Sequence, residues 1–318
     1  MFHFEDTLTF ENKPIDLLTV GELLIDMIPE QYGDQFGAKT FQKYFGGSPS
    51  NIAMNVKQLG LQPVVVSAVG KDGLGQFLIH HLQQAKIDTS NVQEIDASTS
   101  LVIVSKSKNS PVPIFYRDAD YHLTYTEKLD KALMQAKIVH FSCWPISMDP
   151  SRQTIETIIG KAKEHHILTC FDPNYHPMIW KKGEDGVPFV KSIISQVDII
   201  KPSEDDAERL FGKDTPENQL AKFLDLGAKL VILTLGKDGA IVSNGRETFT
   251  FPTLADKVID TTGAGDAFWS GLYTGLVQGQ SIKEAIQLGF AVSAYKLQYT
   301  GAVVSLPTVA KLKEMYHV

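Results

Sequence analysis

Ile167-Leu168-Thr169-Cys170-Phe171, Val197-Asp198-Ile199-Ile200 and Val231-Ile232-Leu233-Thr234 are short apolar runs, rich in β-branched residues and separated by helix-length segments. Such runs read as strands buried on both faces, because a strand with one wet face would alternate apolar with polar residues. The same pattern occurs upstream in Leu17-Leu18-Thr19-Val20, Val64-Val65-Val66-Ser67-Ala68-Val69 and Ile138-Val139-His140-Phe141. Strands alternating with helices predict βαβ units, and therefore a three-layer α/β core with a mostly parallel sheet covered by helices.

Helix ends support this reading. Ser48-Pro49 offers a cap and a first-turn proline before Ile52, Val56 and Leu59, and Gly60 follows as a stop. A longer helix is expected from near Gly263 through Phe268, Leu272 and Leu276 to Gly279, with Ser281 capping the next. Two stretches break the rhythm. Leu23-Leu24-Ile25-Asp26-Met27-Ile28 precedes Thr40-Phe41-Gln42-Lys43-Tyr44-Phe45, and Ser100-Leu101-Val102-Ile103-Val104 precedes Val112-Pro113-Ile114-Phe115-Tyr116-Arg117. Both read as consecutive strands without a crossover helix. They predict a small, largely antiparallel lid, built from insertions at about residues 22–46 and 99–120 of a single domain spanning 1–318.

Composition sets the outer limits. The 318 residues are 43% apolar and 21% charged, ordinary for a globular chain and against disorder, collagen or coiled coil. With 30 Lys+Arg against 37 Asp+Glu the net charge is −7, which argues against nucleic-acid or membrane-surface binding. Cys143 and Cys170 lack C-x-x-C spacing, so free buried thiols in a reducing compartment are expected. The start, Met1-Phe2-His3-Phe4-Glu5-Asp6, has neither a basic region nor an apolar one, and no eighteen-residue apolar segment follows; a cytoplasmic location is expected.

The chemistry concentrates in Asp260-Thr261-Thr262-Gly263-Ala264-Gly265-Asp266-Ala267-Phe268. Two glycines around an alanine at a helix mouth let backbone N–H groups converge on an anion, and the helix dipole adds positive potential. Asp266, in the first turn, would face that anion. If the anion is a nucleotide γ-phosphate, the carboxylate is placed to accept the proton of an attacking hydroxyl, and the helix end should keep it ionised. The plainer reading is an acid that satisfies the helix dipole. Neither G-x-x-x-x-G-K-[ST] nor G-x-G-x-x-G occurs, which makes a Rossmann dehydrogenase a poor rival.

Together with Gly46-Gly47-Ser48-Pro49-Ser50-Asn51, this segment resembles the two signatures of the ribokinase-like (PfkB) carbohydrate kinases, the twin-glycine motif with its asparagine and the DTxGAGD motif. The resemblance spans most of the chain in order, through Val20-Gly21-Glu22 with Asp26, Val69-Gly70-Lys71-Asp72, Asp172-Pro173-Asn174, Thr234-Leu235-Gly236-Lys237-Asp238-Gly239 and Gly301-Ala302. It implies ATP-dependent phosphorylation of a primary hydroxyl on a sugar or related small molecule, with magnesium arriving on the ATP. It also implies roles residue by residue. Asp266 matches the base, and Gly263, Ala264 and Gly265 match the anion hole. Asp26, Gly46, Gly47 and Asn51 match the sugar floor; Asp26 also needs a partner in its own right, lying among Leu24, Ile25, Met27 and Ile28.

On the nucleotide side, Thr234, Gly236 and Gly239 match the turn that holds the ATP ribose and phosphates. Lys201 follows a strand end, as a phosphate ligand or an exposed loop lysine. Ser203-Glu204-Asp205-Asp206 stands where the family carries N-x-x-E, a motif associated with magnesium and phosphate; Ser replaces Asn and Asp replaces Glu. Glu204 and Asp206 would supply carboxylates there, or simply begin a helix. Asp260, Thr262 and Ser305 match positions by which many members hold a monovalent cation, usually potassium.

The lid segment around Arg117 and the stretch Phe171-Asp172-Pro173-Asn174-Tyr175-His176 are similar to fructokinases and to 2-keto-3-deoxygluconate kinases. In the latter the arginine meets a substrate carboxylate, helped by a tyrosine and a second arginine; here Phe115 and His176 stand in those places. Losing a hydroxyl and a cation weakens a carboxylate site, which favours a neutral ketohexose, fructose first. A sugar-acid kinase, a nucleoside kinase and a non-catalytic sugar- or nucleotide-binding regulator are the alternatives. His176 reads as a substrate contact, a pH-sensitive group or a loop histidine. Open lid edges at residues 23–28 and 101–104 predict a homodimer through the lid.

Overall fold

A computed structural model of the chain describes residues 2–30, 39–104 and 113–318; Met1 and Val112, both used above, lie outside them. Among the described residues the strands are β1 (Ile15–Val20), β2 (Leu24–Pro29), β3 (Phe41–Gly46), β4 (Pro63–Gly70), β5 (Val92–Ile95), β6 (Leu101–Ile103) and β7 (Ile114–Tyr116), followed by β8 (Ala136–Ser142), β9 (Leu168–Asp172), β10 (Ile199–Ile200), β11 (Leu230–Thr234), β12 (Ala240–Ser243) and β13 (Thr248–Phe251).

The main sheet runs β13-β12-β11-β10-β9-β8-β1-β4-β5, parallel from β11 to β5. Successive residues serve opposite faces. Leu17, Ile138, Cys170, Ile199 and Leu230 pack with Trp269, Leu272 and Ile286 on one side. Leu18, Val139, Phe141, Phe171 and Val231 pack with Ile155, Ile158 and Ile193 on the other. Burial on both faces explains the unbroken apolar runs. The sheet ends in an antiparallel hairpin, β12-β13, which the strand reading passed over although Asn244-Gly245 is a strong turn signal between them.

The lid is a second, four-stranded sheet in the order β3-β2-β6-β7. Its β2-β3 and β6-β7 pairs are antiparallel, and β2 and β6 join in parallel. Both cysteines are buried and free. Among the described residues no helix is long and apolar enough to cross a membrane.

Strand order reverses around β1, with β4 on one side and β8 on the other. In open α/β sheets, a crevice forms beyond the carboxyl ends of the strands at such a point. Glu22 lies beyond β1, Trp144 beyond β8, Asn174 beyond β9 and Lys201 beyond β10, and all four line one cavity under the lid.

Candidate active site

That cavity, of about 460 Å³, also presents Asp26, Asn51 and Asp266. A second, of about 490 Å³, is lined by Thr234, Gly236, Gly239, Glu204, Val258 and Phe290, among others. The two meet at Lys201, Ser203, Thr234, Thr261, Ala264 and Gly265. A third, of about 510 Å³, lies at the amino ends of β9 and β11, near Leu168 and Lys229, and shares no residue with the other two.

Asp266 lines the cavity under the lid, next to the shared Gly265. Its helix, Ala264–Val277, starts from Gly263, whose φ of 74° is left-handed and which a side chain could not occupy: an added Cβ would lie 2.6 Å from the Ala302 carbonyl oxygen. The carboxylate is held from the opposite wall. Ser48 Oγ donates to Oδ1 at 2.6 Å and Asn51 Nδ2 donates to Oδ2 at 2.9 Å. Burial pushes the Asp266 pKa up to about 6, against those two hydrogen bonds, with Asp172 adding to the rise and Lys201 opposing it. The expectation of an ionised acid holds at pH 7, but burial makes it more basic than the helix end alone would.

Ser48 is a residue that sequence reasoning assigned to another task. The cap of the Ser48–Gln58 helix is Gly47, at φ 104°, and the Ser48 hydroxyl points to Asp266 instead. Gly46 leaves room for the Asp26 carboxylate, which a Cβ there would overlap. Burial, then the charge of Asp266, raises Asp26 to about 7. Glu22, in the Val20-Gly21-Glu22 segment, is a functional candidate that the sequence alone does not single out. It is 4% exposed, accepts the Ser48 N–H at 3.0 Å through Oε1, and burial lifts its pKa to about 8. Among the described residues, Glu22 Oε2 and Asn51 Oδ1 are buried without a hydrogen-bond partner. Both residues line the cavity under the lid.

Lys201 is no exposed loop lysine. It is 4% exposed, its Nζ lies 3.0 Å from Asp172 Oδ2, and the same Asp172 oxygen accepts Trp269 Nε1 at 2.7 Å. Ser203 and Asp206 form a capping box at the start of the Glu204–Phe211 helix. Asp206 Oδ2 accepts from Ser203, Oδ1 accepts the Tyr175 N–H at 2.7 Å, and burial raises its pKa. Glu204 and Asp205 line the second cavity, whereas Asp206 does not. No cluster of three His, Cys, Asp or Glu able to hold a metal exists among the described residues. Glu204 and Asp205 are hard oxygen donors beside the second cavity, where a divalent ion carried by phosphates would fit.

Arg117 departs from its expected place. It does not line the cavity under the lid. Nε donates to Asp120 at 2.9 Å, Nη1 to Ser147 Oγ at 2.6 Å and to the Ile179 carbonyl at 2.7 Å, and Nη2 to Asp120 and to the Trp144 carbonyl. All of its nitrogens are committed to the protein. It also lies over the Trp144 ring, 4.5 Å from its centroid. His176 is likewise outside the cavity lining; its Nδ1 accepts the Met178 N–H at 3.2 Å and its ring meets Phe115 edge-on at 5.1 Å. Asp260 and Thr262 are joined, Thr262 N–H donating to Oδ1 at 3.0 Å. Ser305 is exposed, and no hydrogen bond ties it to either among the described residues.

The pfkB family carbohydrate kinase profile matches residues 15–309. The chain belongs to that family. This kinase is 62% identical to the ATP-dependent 6-phosphofructokinase of Thermoanaerobacterium thermosaccharolyticum, over 99% of this chain and 98% of the relative. It superimposes on the fructokinase of Halothermothrix orenii with a TM-score of 0.78 and 38% identity, covering 87% of this chain and 98% of that one. A double mutant of the Vibrio cholerae O395 fructokinase, bound to fructose, ADP and potassium, gives a TM-score of 0.82 at 25% identity, covering 96% and 100%. The kinase is thus a phosphotransferase acting on sugars, on a ribokinase-like fold.

Proposed function

We propose that the kinase transfers the γ-phosphate of ATP to a primary hydroxyl of fructose 6-phosphate. The observation that carries the transfer is Asp266, fixed by Ser48 and Asn51 next to Gly265, where the two cavities meet. The acceptor is drawn from the 62% identity to a 6-phosphofructokinase over nearly the whole chain. Free fructose is the second reading. It is favoured by the sugar-side cavity, whose described lining holds Glu22, Asp26, Asp172, Asp206 and Asp266 but only Lys201 as a cation, already paired with Asp172. The same charge balance, with Arg117 turned away, counts against a sugar acid.

In this reading the sugar lies under the lid, with two hydroxyls on Asp26 and one near Asn51 Oδ1. Asp266 takes the proton of the attacking hydroxyl at a carboxylate oxygen, its rotamer held by Ser48 and Asn51. The backbone N–H of Gly265, with the helix end behind it, stabilises charge on the transferred phosphoryl oxygens, and Lys201 lies beside it; the Ala264 N–H is taken by the Thr261 carbonyl at 3.1 Å. Magnesium on the nucleotide would neutralise the remaining phosphate charge, next to Glu204. ATP itself would occupy the second cavity, its base against Val258 and Phe290 and its ribose at Thr234, Gly236 and Gly239.

The whole chain acts as one catalytic unit with its lid, and two copies pair through the lid. The motivation is exposed apolar surface there: Tyr44 is 42% exposed and Tyr116 57%. A monomer by light scattering at working concentration removes the pairing. Free buried thiols favour the cytoplasm. The deciding experiment is ATP consumption with fructose 6-phosphate, fructose, 2-keto-3-deoxygluconate and ribose side by side. Preference for fructose 6-phosphate supports the reading, preference for free fructose replaces it with the second, and preference for the sugar acid overturns both.

A further inference from the structure

Lys296 closes the Ile282–Lys296 helix and is 1% exposed, although no step above uses it. A buried ammonium requires oxygen partners. Its Nζ donates to the carbonyl oxygen of Asp260 at 2.7 Å. Burial lowers its pKa, while the carboxylates of Asp260 and Asp266 favour its charged form. Three residues earlier on the same helix, Ser293 Oγ donates to the Ala264 carbonyl at 3.0 Å. One helix face therefore grips both ends of the turn that carries Gly263, Ala264 and Gly265. The Asp260 side chain ties that turn to the next segment, accepting Thr262 N–H at 3.0 Å and Gly301 N–H at 2.8 Å.

The resemblance to the family implies a monovalent cation at Asp260, Thr262 and Ser305. With the Lys296 ammonium seated on the Asp260 carbonyl, the residues present do not fit one. The Asp260 carbonyl already faces an ammonium, both carboxylate oxygens of Asp260 accept backbone N–H groups, and Ser305 is exposed. An ammonium and a potassium ion carry the same charge and seek the same oxygens. We propose that Lys296 is the built-in monovalent cation of the phosphate cradle: it holds the Asp260 carbonyl and fixes positive charge behind the helix end, so that nucleotide binding needs no potassium. This rests on the reading of Gly263, Ala264 and Gly265 as the phosphate site.

The test is calorimetric titration of ADP with magnesium, in buffers whose sole monovalent cation is either sodium or potassium, on wild type, Lys296→Met and Lys296→Arg, with thermal unfolding of each. Wild type is expected to bind ADP equally in both salts. Lys296→Met should lose about tenfold in sodium, the effect of one charge-assisted contact, and recover most of it in potassium. Lys296→Arg should stay near wild type in both. A wild type that binds ADP tenfold better in potassium overturns the inference, as does a Lys296→Met loss that potassium does not repair, or no loss at all. If Lys296→Met fails to fold, the wild-type comparison decides alone. Absence of ADP binding by wild type in either salt overturns the phosphate-site reading itself, whereas salt-dependent binding overturns only the role of Lys296.

Discussion

The cradle and the lid are built by different means. The cradle is a short turn opening a buried helix, fixed by Lys296, Ser293 and Gly301 and backed by the Ala264–Val277 helix packed on the Ile282–Lys296 helix. The lid is four short strands, β6 and β7 only three residues each, with Tyr44 and Tyr116 open to solvent. Rigid helix ends suit phosphoryl transfer, where alignment matters most, and a thin sheet suits the choice of acceptor. Changes in the cradle should therefore move turnover, and changes under the lid should move sugar affinity or lid stability.

Arg117 gives the sharpest contrast, because its lid position suggests substrate contact while its hydrogen bonds make it a strut. Arg117→Ala should cost about 3–5 kcal/mol of stability, since it leaves Asp120 buried without its cation. Thermal unfolding would register the loss, and enzyme that remains folded should keep its sugar KM. A KM rise without a stability loss would return Arg117 to the substrate. Asp26→Asn should raise the sugar KM by roughly 30-fold, about 2 kcal/mol, by weakening hydrogen bonds to a charged acceptor. The ATP KM should not change; equal effects on both would erase the division between lid and cradle.

Asp26 also sets a pH dependence. Its pKa is raised to about 7, so below that pH the group is protonated and cannot accept two hydroxyls as an anion. Sugar KM, measured with a neutral sugar, should fall as pH rises from 6 to 7 and level off by 8, and this trend should vanish in Asp26→Asn. The smallest effect is expected from Glu22→Gln. With a pKa of about 8, Glu22 is neutral at pH 7, and an amide of the same shape should leave kcat and KM within about threefold. A large loss at pH 7 would mean that its ionised form acts in the site.

Sequence reading reached the two regions unequally. The strands from β1 to β11 of the parallel sheet were legible where both faces are apolar, as in β4 and β11. β5, with Gln93 and Glu94, and β13, an edge strand, lacked that signature. Asp266 and the cradle glycines sit in one compact motif whose chemistry is local, and Asn51 was reached through the resemblance although its partner Asp266 lies 215 positions away. Ser48 was misread because a plausible local task, capping, competed with a partner 218 positions away. Arg117 was misread for a related reason: besides Asp120, three residues on, its partners Trp144, Ser147 and Ile179 lie 27 to 62 positions away. Lys296 carried no signal, since a lysine ending a helix is commonplace at the surface.

The most direct test of the account is turnover by Asp266→Asn, measured with saturating ATP and sugar and paired with ADP affinity of the same protein. The account predicts that ADP affinity is retained while kcat falls by about 10²–10⁴, the usual share of a positioned general base. Near-normal kcat with intact ADP binding would contradict it and remove Asp266 from the proton transfer.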